Sequence, residues 1–244
     1  MAAVVSAGPY WSSVVLVAAG CVLLCRGAKR RPGPWRVVAA RIIGSLLLAD
    51  AVVYSIGLVV AGTWSASTSL PLALCNVGVP VASSACWWRV PLLVELTYFW
   101  GLAGTLQGVL TPDLSSGFPH LVFFEYVAGH LGIVVAALFL VIGMGLVPRA
   151  GAIGRIFAVT AAYTAFVGAV DWLTGSNYMF LSSPPTEWTV LRLLGAWPWY
   201  VVGAAGVALP LLVILDLPFW RVRHEGRELS PRYFGSRHRP VATG

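Results

Sequence analysis

The residues of this chain that could do chemistry are the few polar side chains that interrupt its long apolar stretches. An ionisable group in the hydrocarbon core of a bilayer costs at least about 2.5 kcal/mol on insertion scales, so each one is a functional candidate. The ionisable candidates are Asp50, Glu95, Glu125, His130 and Asp171. A thiol and two amides accompany them, namely Cys75, Asn76 and Gln107.

A thiol, an imidazole and a carboxylate together contain the parts of a nucleophilic site. A thiol becomes a nucleophile when a neighbouring histidine takes its proton, and a carboxylate can orient that histidine. Cys75 and His130 are the thiol and the base, and Asp171 or Glu125 is the acid. The simpler alternatives stay open, because a buried cysteine is most often an inert small hydrophobe and a lone intramembrane histidine is more often structural or pore-lining.

Helical spacing indicates which of these side chains share a face. Tyr126 and His130 are four residues apart and lie on one face of a helix, whereas Glu125 is turned roughly 140° from His130. Glu125 and His130 therefore need not touch. A second helix carries a face of small residues, which favours close helix packing: Gly101, Gly104, Thr105 and Gly108.

The composition places these residues in a membrane. Of the 244 residues, 58% are hydrophobic and 10% are charged, and the mean hydropathy is +0.82. A soluble domain has about 25% charged residues. A soluble globular domain, a disordered chain and a fibrous repeat are therefore excluded, and the chain is predicted to be an integral membrane protein.

The hydropathy pattern predicts an all-α, polytopic fold of about seven transmembrane helices, since about 20 apolar residues span the hydrocarbon core. The third span is short, carries Pro71 and Pro80, and could be re-entrant. The predicted spans are 7–25, 38–61, 69–86, 91–110, 119–147, 153–173 and 194–219. The predicted organisation is a transmembrane domain over 1–219 and a basic, flexible cytoplasmic tail over 220–244.

Positive charge predicts the orientation. With seven spans, every basic residue except Arg192 falls on one side, which is then the cytoplasmic side. The protein is predicted to lie in the cell membrane with its N-terminus outside and its C-terminus in the cytoplasm. Most of the polar residues then converge on the outer half as a cavity open to the outer leaflet, while Glu95 lies near the inner face.

The net charge of +7 does not indicate nucleic-acid binding, because basic loops beside a membrane usually face anionic lipid. The four cysteines, Cys21, Cys25, Cys75 and Cys86, form no Cys-x-x-Cys pair and suggest no disulfide framework. No metal site, nucleotide fingerprint or other cofactor is predicted.

Several motifs in order resemble a bacterial family, the YwaF-like integral membrane proteins, over roughly residues 40–218. These motifs are ELTYFWGLAGTLQ at 95–107, TPDL at 111–114, FPHL at 118–121, FEY at 124–126 with His130, DWL at 171–173, NYMF at 177–180 and GAWPWY at 195–200. The YwaF-like family is similar to the eukaryotic transmembrane protein 164 family, a member of which is a cysteine-dependent phospholipid acyltransferase. The resemblance implies that Cys75 corresponds to the nucleophile and His130 to the base. Ala73 and Asn76 stand where the bacterial pattern usually has a polar residue and an acid.

Three functions follow as hypotheses. The first is an enzyme that moves an acyl chain between phospholipid and lysophospholipid, with Gln107, Asn177 or Asn76 donating to the oxyanion and the outer loop 174–193 covering the cavity. The second is a transporter or receptor-like protein in which the buried carboxylates and His130 carry protons or bind a solute. The third is a scaffold for cell-envelope assembly with no chemistry of its own.

Overall fold

The computed structural model describes residues 7–112, 114, 117–184 and 190–224, and these residues form helices and no strand. The prediction of an all-α, multi-pass membrane protein is confirmed. The seven long helices of the described residues are α1 (Ala7–Arg30), α2 (Trp35–Val60), α3 (Leu74–Trp88), α4 (91–110), α5 (Leu121–Gly143), α6 (Ala152–Thr174) and α7 (Trp199–His224). Two short 3₁₀ turns, Tyr178–Phe180 and Val190–Leu194, lie between α6 and α7.

Five of these helices, α1, α2, α5, α6 and α7, are long and apolar enough to cross a membrane. Helix α3 has only 15 residues, which is about 22 Å and less than the hydrocarbon core. It begins at Leu74, whereas the predicted third span began at residue 69, because the residues before it, including Pro71, form turns. It ends where Arg89 takes a left-handed backbone conformation (φ 53°) two residues before Pro91.

Helix α4 is the centre of the bundle. Its residues from Val94 to Gly101 are consecutively buried, so the helix is covered on every side. Helix α3 packs against α2, α4 and α5, and α2 also packs against α5. Large apolar side chains of the outer helices remain uncovered, among them Leu16, Val60 and Trp172. Lipid is the medium that suits such a surface.

The buried carboxylate of Glu95 ties α4 to the connection between α5 and α6. Its Oε1 accepts from the Arg149 Nε at 2.9 Å, from the Arg149 backbone N–H at 3.0 Å and from the Arg155 Nη2 at 2.8 Å. Its Oε2 accepts from the Arg149 Nη2 at 3.1 Å and from the Arg155 Nε at 3.2 Å. The carboxylate in turn raises the pKa of the Arg149 guanidinium. Glu95 therefore has two cationic partners and holds a loop in place.

The C-terminal helix is fixed at the same connection. Arg223 forms an ion pair with Asp216 about two turns earlier in α7, and also donates to the Pro148 carbonyl at 3.1 Å. Helix α7 continues to His224, five residues beyond the predicted end of the transmembrane domain at 219. The predicted tail from residue 225 onward lies outside the described residues.

Replacing Glu95 with Gln is expected to destabilise the protein. The substitution removes the charge of a side chain that is 1% exposed and leaves two arginine side chains that are 50% and 36% exposed, so water can solvate part of their charge. We expect a loss of about 2 kcal/mol in the free energy of unfolding, measured by thermal or denaturant unfolding in detergent. Glu125→Gln is the matched control, since the half-buried Glu125 carboxylate repels Asp50. Equal losses of unfolding free energy in Glu95→Gln and Glu125→Gln would contradict a stabilising role of the Glu95 ion pairs.

Candidate functional site

Cys75 lies in the first turn of α3, where the helix presents unpaired backbone amides. Ala73 precedes the helix in an extended conformation (ψ 145°) and provides no side-chain cap. The first amide that bonds into the helix is that of Val77, which donates to the Ala73 carbonyl at 3.0 Å. Within the part of the chain that the structure describes, no oxygen accepts from the amides of residues 74–76. Such a helix start stabilises negative charge on a nearby atom.

The thiol of Cys75 lies near the second half of α4. The Thr105 hydroxyl is close enough to the thiol to interact with it, and the preceding Leu74 packs against Gly104, where a Cβ would lie 3.1 Å from Leu74 Cδ2. Thr105 is the last residue of a π-helical segment, Gly101–Thr105, inside α4. Single π-helical turns of this kind occur often at functional sites.

His130 of α5 has one ring nitrogen fixed and the other available. Its Nδ1 lies 2.9 Å from the Tyr126 carbonyl. A carbonyl oxygen only accepts, so Nδ1 carries the proton and Nε2 of the neutral ring carries the lone pair. The imidazole stacks on the Tyr126 ring at 4.0 Å, and the Tyr126 hydroxyl donates to the Gly108 carbonyl at 2.8 Å. His130 is thus held in the tautomer that a general base requires.

The imidazole also lies directly against α4. A Cβ at Gly108 would stand 2.9 Å from His130 Cδ2 and 3.2 Å from Nε2. Gly108 is three residues after Thr105, about 4.5 Å further along the same face of the helix. Thr105 and Gly108, the α4 residues beside Cys75 and His130, are therefore within one helical turn of each other. The face of small residues on α4 was predicted to favour close helix packing, and neighbouring side chains do pack against its glycines. His130 can lie against α4 because Gly108 has no side chain.

The acids predicted to orient His130 lie elsewhere. Asp171 is 2% exposed, and its Oδ1 accepts from the Ser176 hydroxyl at 2.7 Å and from the Tyr178 backbone N–H at 2.9 Å. Its Oδ2 has no hydrogen-bond partner among the described residues. The Nδ1 partner of His130 is the Tyr126 carbonyl, a backbone oxygen, whereas the sequence predicted the carboxylate of Asp171 or Glu125 beside the ring. The sequence pattern gave no signal for this, because every residue has a carbonyl.

Glu125 belongs to a different group, between α2 and α5. The Asp50 carboxylate of α2 interacts electrostatically with Glu125, and Glu125 with Tyr54. Asp50 Oδ2 is 3.7 Å from the position of a Cβ at Gly129, one turn after Glu125. The two half-buried carboxylates thus face each other across the α2–α5 contact, next to the helix face that carries His130.

Of the three amides predicted to bind an oxyanion, two are exposed and one is bonded within its own loop. Gln107 and Asn76 have exposed side chains. Asn177 holds its own loop: its Oδ1 accepts from the backbone N–H groups of Ser182 and Ser183 at 2.9 and 3.1 Å, and its Nδ2 donates to the Ser183 carbonyl at 2.9 Å. The backbone amides of the first turn of α3, residues 74–76, are adjacent to Cys75 along the chain. The predicted covering loop 174–193 includes residues 185–189, which lie outside the described residues.

A groove of about 470 Å³ lies beside the turn that follows α6, lined by Ser67, Thr68, Gly175, Ser176, Asn177, Tyr178 and Phe180. Its hydroxyl and amide groups bond to neighbouring protein atoms, as with Tyr178, whose hydroxyl donates to the Ala66 carbonyl at 3.0 Å. Among the described residues, no three His, Cys, Asp or Glu side chains form a group that could hold a metal ion.

The comparison with protein families identifies the chain. The sequence model of the TMEM164 family matches residues 5–216, most of the protein, so the chain belongs to the TMEM164 family. The resemblance to the transmembrane protein 164 family is confirmed. No curated protein and no solved structure matches the chain.

Adding a methyl group at Gly108 should displace His130. Because the new Cβ would lie 2.9 Å from the imidazole and 3.3 Å from the Tyr126 hydroxyl, Gly108→Ala overpacks the α4–α5 contact. We expect a loss of about 1–3 kcal/mol in the free energy of unfolding, measured by unfolding in detergent. Gly206→Ala in α7 is the control, since nothing lies within 4 Å of its Cβ position. A Gly108 variant as stable as the Gly206 variant would show that the contact is loose.

Proposed function

We propose that this TMEM164-family protein transfers a fatty acyl chain between a phospholipid and a lysophospholipid through a thioester on Cys75. The observation that carries the proposal is the arrangement around α4. The Cys75 thiol lies at the start of α3 and beside Thr105 of α4. The His130 imidazole lies beside Gly108, three residues further along α4, and only its Nδ1 is engaged by the Tyr126 carbonyl. A thiol and a neighbouring base are the parts of a cysteine nucleophile.

The first half of the reaction forms the thioester. His130 Nε2 takes the proton of the Cys75 thiol, and the sulfur attacks the ester carbonyl carbon of the donor phospholipid. A C–S bond forms and the ester C–O bond breaks. The imidazolium returns its proton to the departing alkoxide, which leaves as a lysophospholipid. The Tyr126 carbonyl, which accepts from Nδ1, keeps the ring oriented and stabilises the positive charge that the ring acquires.

The oxyanion of the tetrahedral intermediate needs donors beside the sulfur. In this proposal they are the backbone amides of the first turn of α3, residues 74–76, because no oxygen among the described residues accepts from them and the Cys75 amide already points to the Cys75 sulfur. Fixed donors aimed at a developing charge in a water-poor site are usually the largest electrostatic contribution to such a reaction. Gln107, Asn177 and Asn76 side chains are not required for this role.

The second half of the reaction transfers the acyl group. A hydroxyl of an acceptor lysophospholipid gives its proton to His130 Nε2 and attacks the thioester carbonyl. The new ester C–O bond forms, the C–S bond breaks, and the proton returns to the sulfur. The cycle consumes no water and needs no cofactor. With the N-terminus outside, as predicted from the basic residues, the site would act on the outer leaflet of the cell membrane.

Acyl labelling of the purified protein tests this mechanism. The protein in lipid nanodiscs would be incubated with a phospholipid that carries an alkyne-tagged acyl chain, and hydroxylamine-sensitive label on the protein would be measured. We expect label on the wild type and none on Cys75→Ala, while His130→Gln labels at least about 100-fold more slowly because the base is lost. Cys21→Ala, which removes a buried thiol of α1, is the control and should label normally.

Cys75→Ser should fail to support acyl exchange between lipids, since a serine hydroxyl is a much weaker nucleophile than a cysteine thiol beside the same base. A Cys75→Ser protein with full exchange activity, or equal label on wild type and Cys75→Ala, would overturn the mechanism.

A second function, proton-coupled transport, is favoured by one observation. Asp50 and Glu125 are half-buried, interact with each other, and have no ion-pair partner among the described residues. Two interacting carboxylates can share a proton, as in carboxylate dyads. Glu95 is a poor candidate for carrying protons because two arginines hold it.

Vesicle experiments separate the two functions. If the protein moves protons, acidification of sealed vesicles should be lost in Asp50→Asn and in Glu125→Gln and should persist in Cys75→Ala. The acyl-transfer proposal expects the reverse, with lipid exchange lost in Cys75→Ala and retained within about threefold in Asp50→Asn, since among the described residues Asp50 makes no hydrogen bond to the thiol or the imidazole. Proton movement that depends on Asp50 without any lipid exchange would replace the enzyme proposal.

A further inference from the structure

The connection that leads into Cys75, residues 61–73, is held by tyrosines that are distant in sequence. The Tyr163 hydroxyl of α6 donates to the Leu72 carbonyl at 2.9 Å. The Tyr178 hydroxyl donates to the Ala66 carbonyl at 3.0 Å and accepts from the Leu70 backbone N–H at 2.9 Å. Three points of this connection are therefore fastened to α6 and to the turn that follows it.

Asp171 holds the turn that carries Tyr178. Its Oδ1 accepts from the Tyr178 backbone N–H and the Ser176 hydroxyl. The turn also contains Met179 in a left-handed backbone conformation (φ 56°), which residues other than Gly, Asn and Asp rarely adopt. The hydrogen bonds of Asp171 therefore fix a backbone shape that the local sequence does not favour.

The first turn of α3 depends on such outside contacts. Pro80 has no N–H, so the Asn76 carbonyl lacks the donor that a helix normally supplies four residues later. Ala73 provides no cap. The Leu72 carbonyl that Tyr163 holds is only three residues before Cys75, so a shift of this carbonyl moves the thiol and the free amides together.

We infer that Asp171, Tyr178 and Tyr163 are positioning residues for Cys75: they fasten the connection before α3 and so set the place of the thiol and of the oxyanion donors. This inference rests on the proposed acyl transfer for its effect on rate. In this inference Asp171 helps to position Cys75, whereas the sequence analysis considered it as the acid that orients His130. A displacement of about 1 Å at a reacting atom can slow a reaction about 100-fold.

The free Oδ2 of Asp171 gives a sharp test of its role. Because only Oδ1 has partners among the described residues, asparagine can accept the same two hydrogen bonds with its amide oxygen. If Asp171 positions the turn through its hydrogen bonds, Asp171→Asn should keep this role and Asp171→Ala should lose it. If Asp171 instead orients His130 through its negative charge, both variants should lose the role.

The experiment measures the rate of thioester labelling with the alkyne-tagged phospholipid in nanodiscs. We expect Tyr163→Phe, Tyr178→Phe and Asp171→Ala to label about tenfold more slowly than wild type, and Asp171→Asn to label within about twofold of it. Tyr98→Phe is the matched control. It too loses one inter-helix hydroxyl-to-carbonyl bond, to Leu215 at 3.1 Å, but away from Cys75, so its rate should be unchanged.

A second readout reports the position of Cys75 without any lipid chemistry. In protein with Cys21, Cys25 and Cys86 replaced by Ala, the rate of alkylation of Cys75 by a small maleimide would be measured. We expect at least a threefold change in Tyr163→Phe and Tyr178→Phe and none in Tyr98→Phe, at roughly equal unfolding temperatures of the three variants. If Asp171→Ala fails to fold, Tyr163→Phe and Tyr178→Phe still test whether the connection positions Cys75.

The outcomes distinguish the two proposals. Wild-type protein without label overturns the acyl transfer, and maleimide alkylation alone then tests the positioning. If wild type labels and Tyr163→Phe and Tyr178→Phe behave like Tyr98→Phe in both readouts, the positioning role is overturned while acyl transfer stands. If Asp171→Asn labels as slowly as Asp171→Ala, Asp171 acts through its charge and its assignment here is overturned.

Discussion

Glu95 is a carboxylate inside a helix that is buried on every side, and its burial is tolerated only because Arg149 and Arg155 reach it from the α5–α6 connection. A buried charge without partners would cost several kcal/mol. The ion pairs therefore fix the depth and rotation of α4 relative to α5 and α6. The same ion pairs therefore also determine the position of the α4 face that carries Thr105 and Gly108.

That face shows why a polar site can exist in so apolar a bundle. Glycines at 101, 104 and 108 let Ile133, Leu74 and His130 approach the helix within van der Waals contact. The polar groups there are satisfied locally: the Tyr126 hydroxyl bonds to the Gly108 carbonyl, and the Tyr126 carbonyl accepts from His130. Backbone carbonyls thus satisfy groups that would be costly in hydrocarbon, and no further charged side chain is needed to hold the imidazole.

The sequence singled out Cys75, His130 and an acid as the parts of a candidate site, and in the structure Cys75 lies beside Thr105 and His130 beside Gly108. The sequence could not predict these neighbours. Residues such as Asp171 and Asn177 look catalytic by type, yet their hydrogen bonds are made to nearby backbone and hydroxyl groups of the turn after α6. The Tyr126 carbonyl and the amides at the start of α3 have no side-chain signature, since every residue carries a carbonyl and nearly every one an N–H.

The sequence by itself determined that the protein is all-α and lies in a membrane, because hydropathy and the scarcity of charge depend on composition and on the length of apolar runs. Motif order likewise pointed to the family. Only the tertiary structure decided where α3 begins, which charges pair, and which groups flank the thiol. These features depend on contacts such as Tyr163 with Leu72 and Arg149 with Glu95, between residues 91 and 54 positions apart. Local pattern contains no information on such distant pairs.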